Sequence, residues 1–108
     1  MNQTTIQRFD VAHGSPKWRS EIALHNDVAY LAGQVPEDAC HDIRGQMRQV
    51  LAAVDVLLAR GCSDKSRILM TQVYLADLSD FEGMNEAWDA WFASGHTPPR
   101  ATLRAALA

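Results

Sequence analysis

The feature that most constrains the fold is an apolar stripe between residues 42 and 60. Apolar side chains recur there at spacings of three and four, while charged side chains occupy other positions. This period predicts one amphipathic helix that must bury a face against the rest of the chain. Gly61 follows the stripe and suits the residue after a helix end, where a positive φ favours glycine. The stripe consists of Ile43, Met47, Val50, Leu51, Val54, Leu57 and Leu58.

Three strands are predicted before this helix. Apolar and polar residues alternate over 5–9, which is typical of a half-buried strand. The segment 19–33 predicts two further strands with a turn at His25, Asn26 and Asp27, since Asn and Asp tolerate the left-handed backbone of a tight hairpin.

The segment that follows the helix predicts a strand, a helix and a last strand. Residues 67–77 are rich in apolar and β-forming side chains on both faces, which favours a long central strand with Tyr74 in the core. Ser79 and Glu82 have capping-box spacing, so a second helix is expected to begin near Asp80. The last strand follows two prolines.

The element order βββαβαβ predicts an α+β protein. We expect residues 1–108 to form one domain, with both helices packed on one face of a single mixed sheet. Too little chain is left to cover the other face. An exposed apolar sheet face predicts a partner, most simply a second copy of the chain.

Composition excludes several classes of function. The net charge is −3 and basic residues are not clustered, so a surface that neutralises nucleic-acid phosphates is not expected. The first ten residues lack a signal-peptide core, and no apolar run reaches the ~18 residues of a membrane span, so we expect a cytoplasmic protein. Cys40 and Cys62 are expected to be reduced thiols. The histidines lack metal-ligand spacing, so no metal site is expected.

Three segments carry a resemblance to a known family. They are LHNDVAYLAGQVPED, SDKSRILMTQVYLADLSDFEGMNEAWDAWF and GHTPPRATLRAAL. In this order they resemble the RidA/YjgF family of reactive-intermediate deaminases, from about Trp18 to Leu107. The resemblance implies a chorismate-mutase-like fold and a homotrimer with clefts between subunits. It also implies cofactor-free hydrolysis of 2-imino acids and their enamine tautomers, such as 2-aminoacrylate or 2-iminopropionate, to 2-keto acids and ammonia.

The residue of greatest interest is Arg100, which follows Pro98 and Pro99. A guanidinium at the start of a strand can bind a carboxylate through two parallel hydrogen bonds, or it can form an ion pair with a surface acid. The family's P-x-R motif implies that Arg100 anchors the substrate carboxylate. It also implies substrate contacts from the backbone of Ala101, Thr102 and Leu103.

The chain departs from the family pattern near the implied site. Ala32 stands before Gly33 where many members have Ser, Trp18 stands where Tyr is common, and Thr102 replaces a frequent Cys. No residue matches the glutamate that positions water in a further strand of active members. A deaminase is therefore one hypothesis. A non-catalytic trimer that binds small keto or imino acids, or an interaction protein, is the alternative.

Overall fold

The computed structural model describes residues 5–11, 19–92 and 94–107. The predicted order βββαβαβ and the α+β class are confirmed. Short 3-10 turns precede β4 and α2, at Lys65–Arg67 and Leu78–Asp80. The elements are β1 (Gln7–Val11), β2 (Ser20–His25), β3 (Val28–Leu31), α1 (Ile43–Arg60), β4 (Thr71–Leu75), α2 (Phe81–Trp91) and β5 (Arg100–Arg104).

A two-residue turn joins β2 to β3. Asn26 and Asp27 have φ angles of 51° and 63°, the left-handed conformation of a tight hairpin. The predicted turn is therefore confirmed. It sets the antiparallel register in which Ile22 faces Leu31, and Ile22 is only 1% exposed.

The described strands form two hydrogen-bonded groups. β1, β2 and β3 make an antiparallel sheet, and β4 pairs with β5 in parallel. Within the described ranges, no ladder joins β3 to β4, so the expected single sheet is not continuous there. Sequence pattern locates strand segments but carries little information about which edges become neighbours, because pairing depends on how the crossover helix packs.

The first helix begins and ends with local hydrogen bonds. The Asp42 carboxylate accepts from the Gly45 N–H at 3.0 Å. At the other end, the Gly61 N–H donates to the Leu57 carbonyl at 3.0 Å. Gly61 has a φ of −81°, and Cys62 takes the left-handed φ of 60°. The expected positive φ at Gly61 is therefore wrong, because the chain turns one residue later.

The main core lies between α1, α2 and β4. Met84 of α2 is fully buried at its centre, with Ile43, Trp91 and Phe92 packed at its margin. Burying these side chains supplies the main favourable term for folding. The buried members are Met47, Leu51, Val73, Leu75, Met84, Ala87 and Trp88.

Within the described part of the chain, one face of β4 is covered and the other is not. Val73 and Leu75 are buried against the helices, while Gln72 and Tyr74 lie on the other face. Tyr74 is 50% exposed, and its hydroxyl donates to the Gln72 Oε1 at 2.9 Å. The predicted central strand covered on both sides is therefore wrong, and so is the core position of Tyr74. The second face of β4 is also apolar in sequence, yet it stays exposed within one chain, as is typical of an interaction surface.

The second helix begins where expected, but it has no side-chain cap hydrogen bond of its own. The Asp77 carboxylate accepts from the Ser79 N–H at 2.9 Å, within the 3-10 turn. Asp80 precedes α2 and makes no side-chain cap hydrogen bond. The predicted capping box of Ser79 and Glu82 is wrong, because Ser79 already belongs to the preceding turn.

The two helices meet at a glycine. Gly83 is buried, and a Cβ placed on it would lie 2.5 Å from Ile43 Cγ2. Beside this contact, Arg44 of α1 forms an ion pair with Glu86 of α2. The glycine therefore permits the close approach of α1 to α2, and the ion pair joins their exposed sides.

We predict that Gly83→Ala lowers the free energy of unfolding by about 1–3 kcal/mol, the range for overpacking a core. Alanine normally favours a helix over glycine, so any loss reports the clash with Ile43. Urea unfolding measures it, and Gly33→Ala is the matched control because nothing lies within 4 Å of its Cβ position. A Gly83→Ala protein more stable than the parent would contradict the packing at this crossing.

We also predict a pH-dependent contribution from Glu86. The Arg44 hydrogen bond and charge lower the pKa of Glu86 below its usual range. A carboxylate whose pKa is lower in the folded state stabilises the fold above its unfolded pKa, and this effect disappears as pH falls through the folded pKa. Glu86→Gln should therefore be less stable than the parent near about pH 7, and this deficit should shrink as pH falls through the folded pKa of Glu86.

The contribution is expected to be small, because the pair is exposed and screened by salt. Glu82→Gln is the control, since Glu82 lies on the same helix and has no ion-pair partner among the described residues. A Glu86→Gln deficit that stays constant as the pH is lowered would contradict the ion-pair account.

Candidate functional site

The start of β5 is fixed by two prolines. Pro98 is buried, and the Pro99 carbonyl accepts from the Thr71 N–H at 3.1 Å. The proline rings restrict φ, and the register then sets Arg100 opposite Thr71. The position from which the Arg100 side chain leaves the strand is therefore well defined.

The Arg100 side chain packs on α2. Its guanidinium carbon lies 4.8 Å from the centre of the Trp88 ring and 5.8 Å from that of Phe81. Its Nη1 lies 3.6 Å from Met84 Sδ. Trp88 is 4% exposed and belongs to the core, whereas Phe81 is 42% exposed. We call Phe81, Met84 and Trp88 the aromatic platform.

Arg100 has no acidic partner among the described residues. The ion pairs of that part of the chain include Arg19 with Glu21 at 2.8 Å, and Arg44 with Glu86, but none contains Arg100. A guanidinium that packs its face on an aromatic ring keeps its edge N–H groups available for an anion. The cation is therefore supported by rings and open to a carboxylate.

The backbone of β5 faces two directions. The Thr71 N–H donates to the Pro99 carbonyl, and the Ala105 N–H donates to the Leu75 carbonyl at 3.0 Å. With the observed register, the backbone groups of Ala101 and Leu103 face β4, and those of Thr102 face the opposite edge. Thr102 therefore presents a carbonyl and an N–H on the edge of the strand that begins with Arg100.

The other predicted site residues lie elsewhere. Ala32 extends the β2–β3 ladder, since its N–H donates to the Glu21 carbonyl at 2.9 Å. Gly33 follows it and has open space around it. Within the described part of the chain, no hydrogen bond, ion pair or ring contact joins either residue to Arg100. Trp18 lies outside the described residues. One chain therefore brings together Arg100, Ala101, Thr102 and Leu103, but not the hairpin residues.

Hydrogen bonds around Glu21 fix the segment that leaves β3. The Gln34 Nε2 donates to the Glu21 Oε2 at 2.8 Å and to the Ala32 carbonyl at 3.1 Å. Arg19 forms an ion pair with the other oxygen of the same carboxylate. No sequence motif marks this cluster, because Gln34 is separated from Glu21 along the chain.

The described residues offer no group of three or more His, Cys, Asp or Glu side chains placed to hold a metal ion. None of the helices in the described ranges has the length and apolar character needed to cross a membrane.

Comparison with known proteins decides the family. The family model for Ribonuc_L-PSP, described as endoribonuclease L-PSP, matches residues 13–108. A RutC family protein of Haemophilus ducreyi is 52% identical over 103 residues, which cover 95% of this chain and 85% of the relative. The chain belongs to the RidA/YjgF family. The resemblance found in the sequence motifs is thereby confirmed.

Further relatives agree with this placement. The RutC family protein YoaB of Escherichia coli K12 is 42% identical, over 95% of this chain and 86% of its own. The crystal structure of NMB1025, a YjgF family member from Neisseria meningitidis, has a TM-score of 0.89 at 38% identity, covering 99% of this chain and 86% of that one. A Pseudomonas aeruginosa structure has a TM-score of 0.86 at 40% identity, with coverage of 95% and 86%.

Proposed function

We propose that this protein hydrolyses reactive 2-imino acids and their enamine tautomers to 2-keto acids and ammonia, with Arg100 as the carboxylate anchor. The observation that carries the proposal is the Arg100 guanidinium, which is held on the aromatic platform and has no carboxylate partner in the described structure. Membership of the family supports the proposal, because the P-x-R motif of the resemblance ends on Arg100.

The reaction needs an electrophilic carbon and a water molecule. An enamine first takes a proton at its carbon, and the resulting iminium carries a positive charge on nitrogen. Water adds to the iminium carbon and loses a proton. A proton then reaches the amine nitrogen and the C–N bond breaks, so that ammonia leaves with the bonding electron pair. The hydroxyl group gives its proton to water as the C=O bond of the keto acid forms. Catalysis of this sequence is chiefly orientation, because holding both reactants in place removes much of the entropic barrier.

The strand contributes a second set of polar groups. Thr102 lies two residues after Arg100, so its outward carbonyl and N–H lie on the edge of β5 that the anchored substrate would follow. The carbonyl can accept a hydrogen bond from the iminium N–H or from the attacking water, and the N–H can donate to developing oxygen charge. No side chain is assigned the role of general base.

We further propose that the site is completed between copies of the chain in a homotrimer. Tyr74 and Leu103 are 50% and 42% exposed, and they lie on the face of the β4–β5 pair away from the helices. Packing of this face against neighbouring copies would remove that apolar surface from water. A neighbouring copy would then supply Ala32 and Gly33 to the cleft that contains Arg100.

The family model is described as an endoribonuclease, but the sequence gives less support to RNA cleavage than to imine hydrolysis. The chain has a net charge of −3, and its sequence lacks a basic cluster that would bind phosphates. Binding of small keto or imino acids without catalysis is the alternative, because Ala32 stands where many members of the family have Ser.

We predict that Arg100→Ala lowers kcat/KM for hydrolysis of 2-iminopropionate by about 10- to 100-fold, the loss expected for a charged hydrogen-bonding partner of a carboxylate. The imine is generated enzymatically and its loss is followed with semicarbazide. Arg104→Ala is the matched control, because Arg104 lies on the same strand and the same face, opposite Leu75.

Three outcomes are informative. Loss of activity in Arg100→Ala but not in Arg104→Ala would support the deaminase. A parent rate equal to the uncatalysed rate, with saturable pyruvate binding that needs Arg100, would favour the binding protein. Equal activity of the parent and Arg100→Ala would contradict the proposed anchor.

We predict that Tyr74→Glu reduces the oligomer mass measured by light scattering towards that of a single 12.0 kDa chain. A carboxylate buried against apolar surface without a partner is strongly unfavourable, so it should disrupt the proposed interface. Val56→Glu is the control, because Val56 is 52% exposed on α1. A trimer that persists in Tyr74→Glu would contradict an interface on this sheet face.

A further inference from the structure

We infer that the aromatic platform is a positioning device, in which Phe81 and Trp88 orient the Arg100 guanidinium for a ligand carboxylate. This inference rests on the proposed function, since it concerns the same arginine. It adds two residues, from a helix that the sequence motifs did not connect with the site.

Two aromatic rings define the position of the Arg100 guanidinium. The guanidinium carbon of Arg100 lies over the Trp88 ring at 4.8 Å and over the Phe81 ring at 5.8 Å. Both distances lie within the ~6 Å limit for a favourable cation–π contact. Two rings from one helix, seven residues apart, therefore restrict where the guanidinium lies.

The guanidinium can contact the rings and bind a carboxylate at the same time. Arginine commonly stacks its planar group on aromatic rings, and it recognises carboxylates through the N–H groups at its edge. One of these nitrogens, Nη1, also lies near Met84 Sδ at 3.6 Å, which is a weak acceptor. The platform therefore holds the group and leaves strong donors available for an anion.

The aromatic platform is held rigidly by the core. Trp88 is 4% exposed and Met84 is fully buried, so the core itself fixes one side of the platform. Trp88 also lies 4.7 Å from Phe92, between ring centres. A free arginine side chain would lose conformational freedom on binding a carboxylate, whereas one already restricted by the rings loses less. The expected consequence is tighter binding of every ligand that has the carboxylate.

Phe81→Leu tests this inference best. Phe81 is 42% exposed, so its truncation removes a ring without opening the core. We expect KM for 2-iminopropionate and the Kd for pyruvate to rise about fivefold to tenfold, which for tenfold is ~1.4 kcal/mol. We expect kcat to stay within about twofold, because the contact strengthens substrate and transition-state binding alike. Phe81→Tyr keeps a ring and should restore both constants.

Trp91→Phe is the matched control. Trp91 belongs to the same aromatic cluster, 6.5 Å from Trp88 between ring centres, but its ring contacts Lys65, and its Nε1 donates to Asp55. Its substitution should leave KM and the pyruvate Kd unchanged. An equal rise in Trp91→Phe would show a general loss of packing and would overturn the inference, as would an unchanged Kd in Phe81→Leu.

The position of the guanidinium can be measured without any activity. In protein labelled with ¹⁵N-arginine, the Nε–Hε signal of Arg100 is identified by its loss in Arg100→Lys. Ring currents should shift this proton upfield of the other arginines, and Phe81→Leu should reduce the shift while Trp91→Phe does not. A shift that is insensitive to Phe81 would overturn the inference.

These readouts separate the two proposals. If the parent binds pyruvate but does not hydrolyse the imine, and Phe81→Leu weakens that binding, the deaminase proposal fails and the platform stands. If the parent hydrolyses the imine but Phe81→Leu changes neither KM nor Kd, the platform fails and the deaminase stands. If the parent does not bind pyruvate, Arg100 binds no ligand carboxylate and the platform inference fails.

Discussion

The close packing of α2 against α1 is the contact on which the rest of the structure depends. Gly83 lets the two helices approach until a single added methyl group would meet Ile43. The next turn of α2 then buries Met84 and Trp88 over β4. Because β5 pairs with β4, its first residue is set beside the same helix. One helix thus contributes to both the core and the candidate site, and Met84 and Trp88 belong to both.

This dependence explains why a cation can stay without an acidic partner in the described structure. Arg100 gains ring contacts from Trp88 and Phe81 in place of a salt bridge. Its charge remains available to an exchangeable anion, whereas a pair such as Arg44 with Glu86 is already satisfied within the chain. We therefore regard the arrangement as a preorganised binding group, in which stability and ligand recognition use the same side chains.

Local signals in the sequence predicted the parts of the fold that local physics determines. The Asn26–Asp27 turn follows from backbone conformations that few residues tolerate, and α1 follows from its apolar period. Family motifs led to Arg100. By contrast, the sequence wrongly predicts a core position for Tyr74, which is half-exposed. An apolar pattern in a sequence is the same whether the face is covered by its own chain or by another copy. The chain-terminal proline motif gave the position of the arginine but not what lies against it.

The platform itself could not be predicted, because it is a long-range contact. Phe81 and Trp88 lie seven residues apart on one helix, a spacing that equally suits a core face. Only the crossing of β5 over this face shows that a cation lies on the rings. The lack of contact between Arg100 and Ala32 or Gly33 in the described structure likewise depends on long-range packing, and it supports a site that includes a neighbouring copy.

The most direct test of this account is a crystal structure of the full chain with bound pyruvate. We predict that the pyruvate carboxylate lies within hydrogen-bond distance of the Arg100 guanidinium edge, while the guanidinium face stays on the Trp88 and Phe81 rings. The keto group should lie beside the outward edge of β5 at Thr102. Pyruvate bound elsewhere, or an Arg100 side chain that leaves the rings to reach it, would contradict the account.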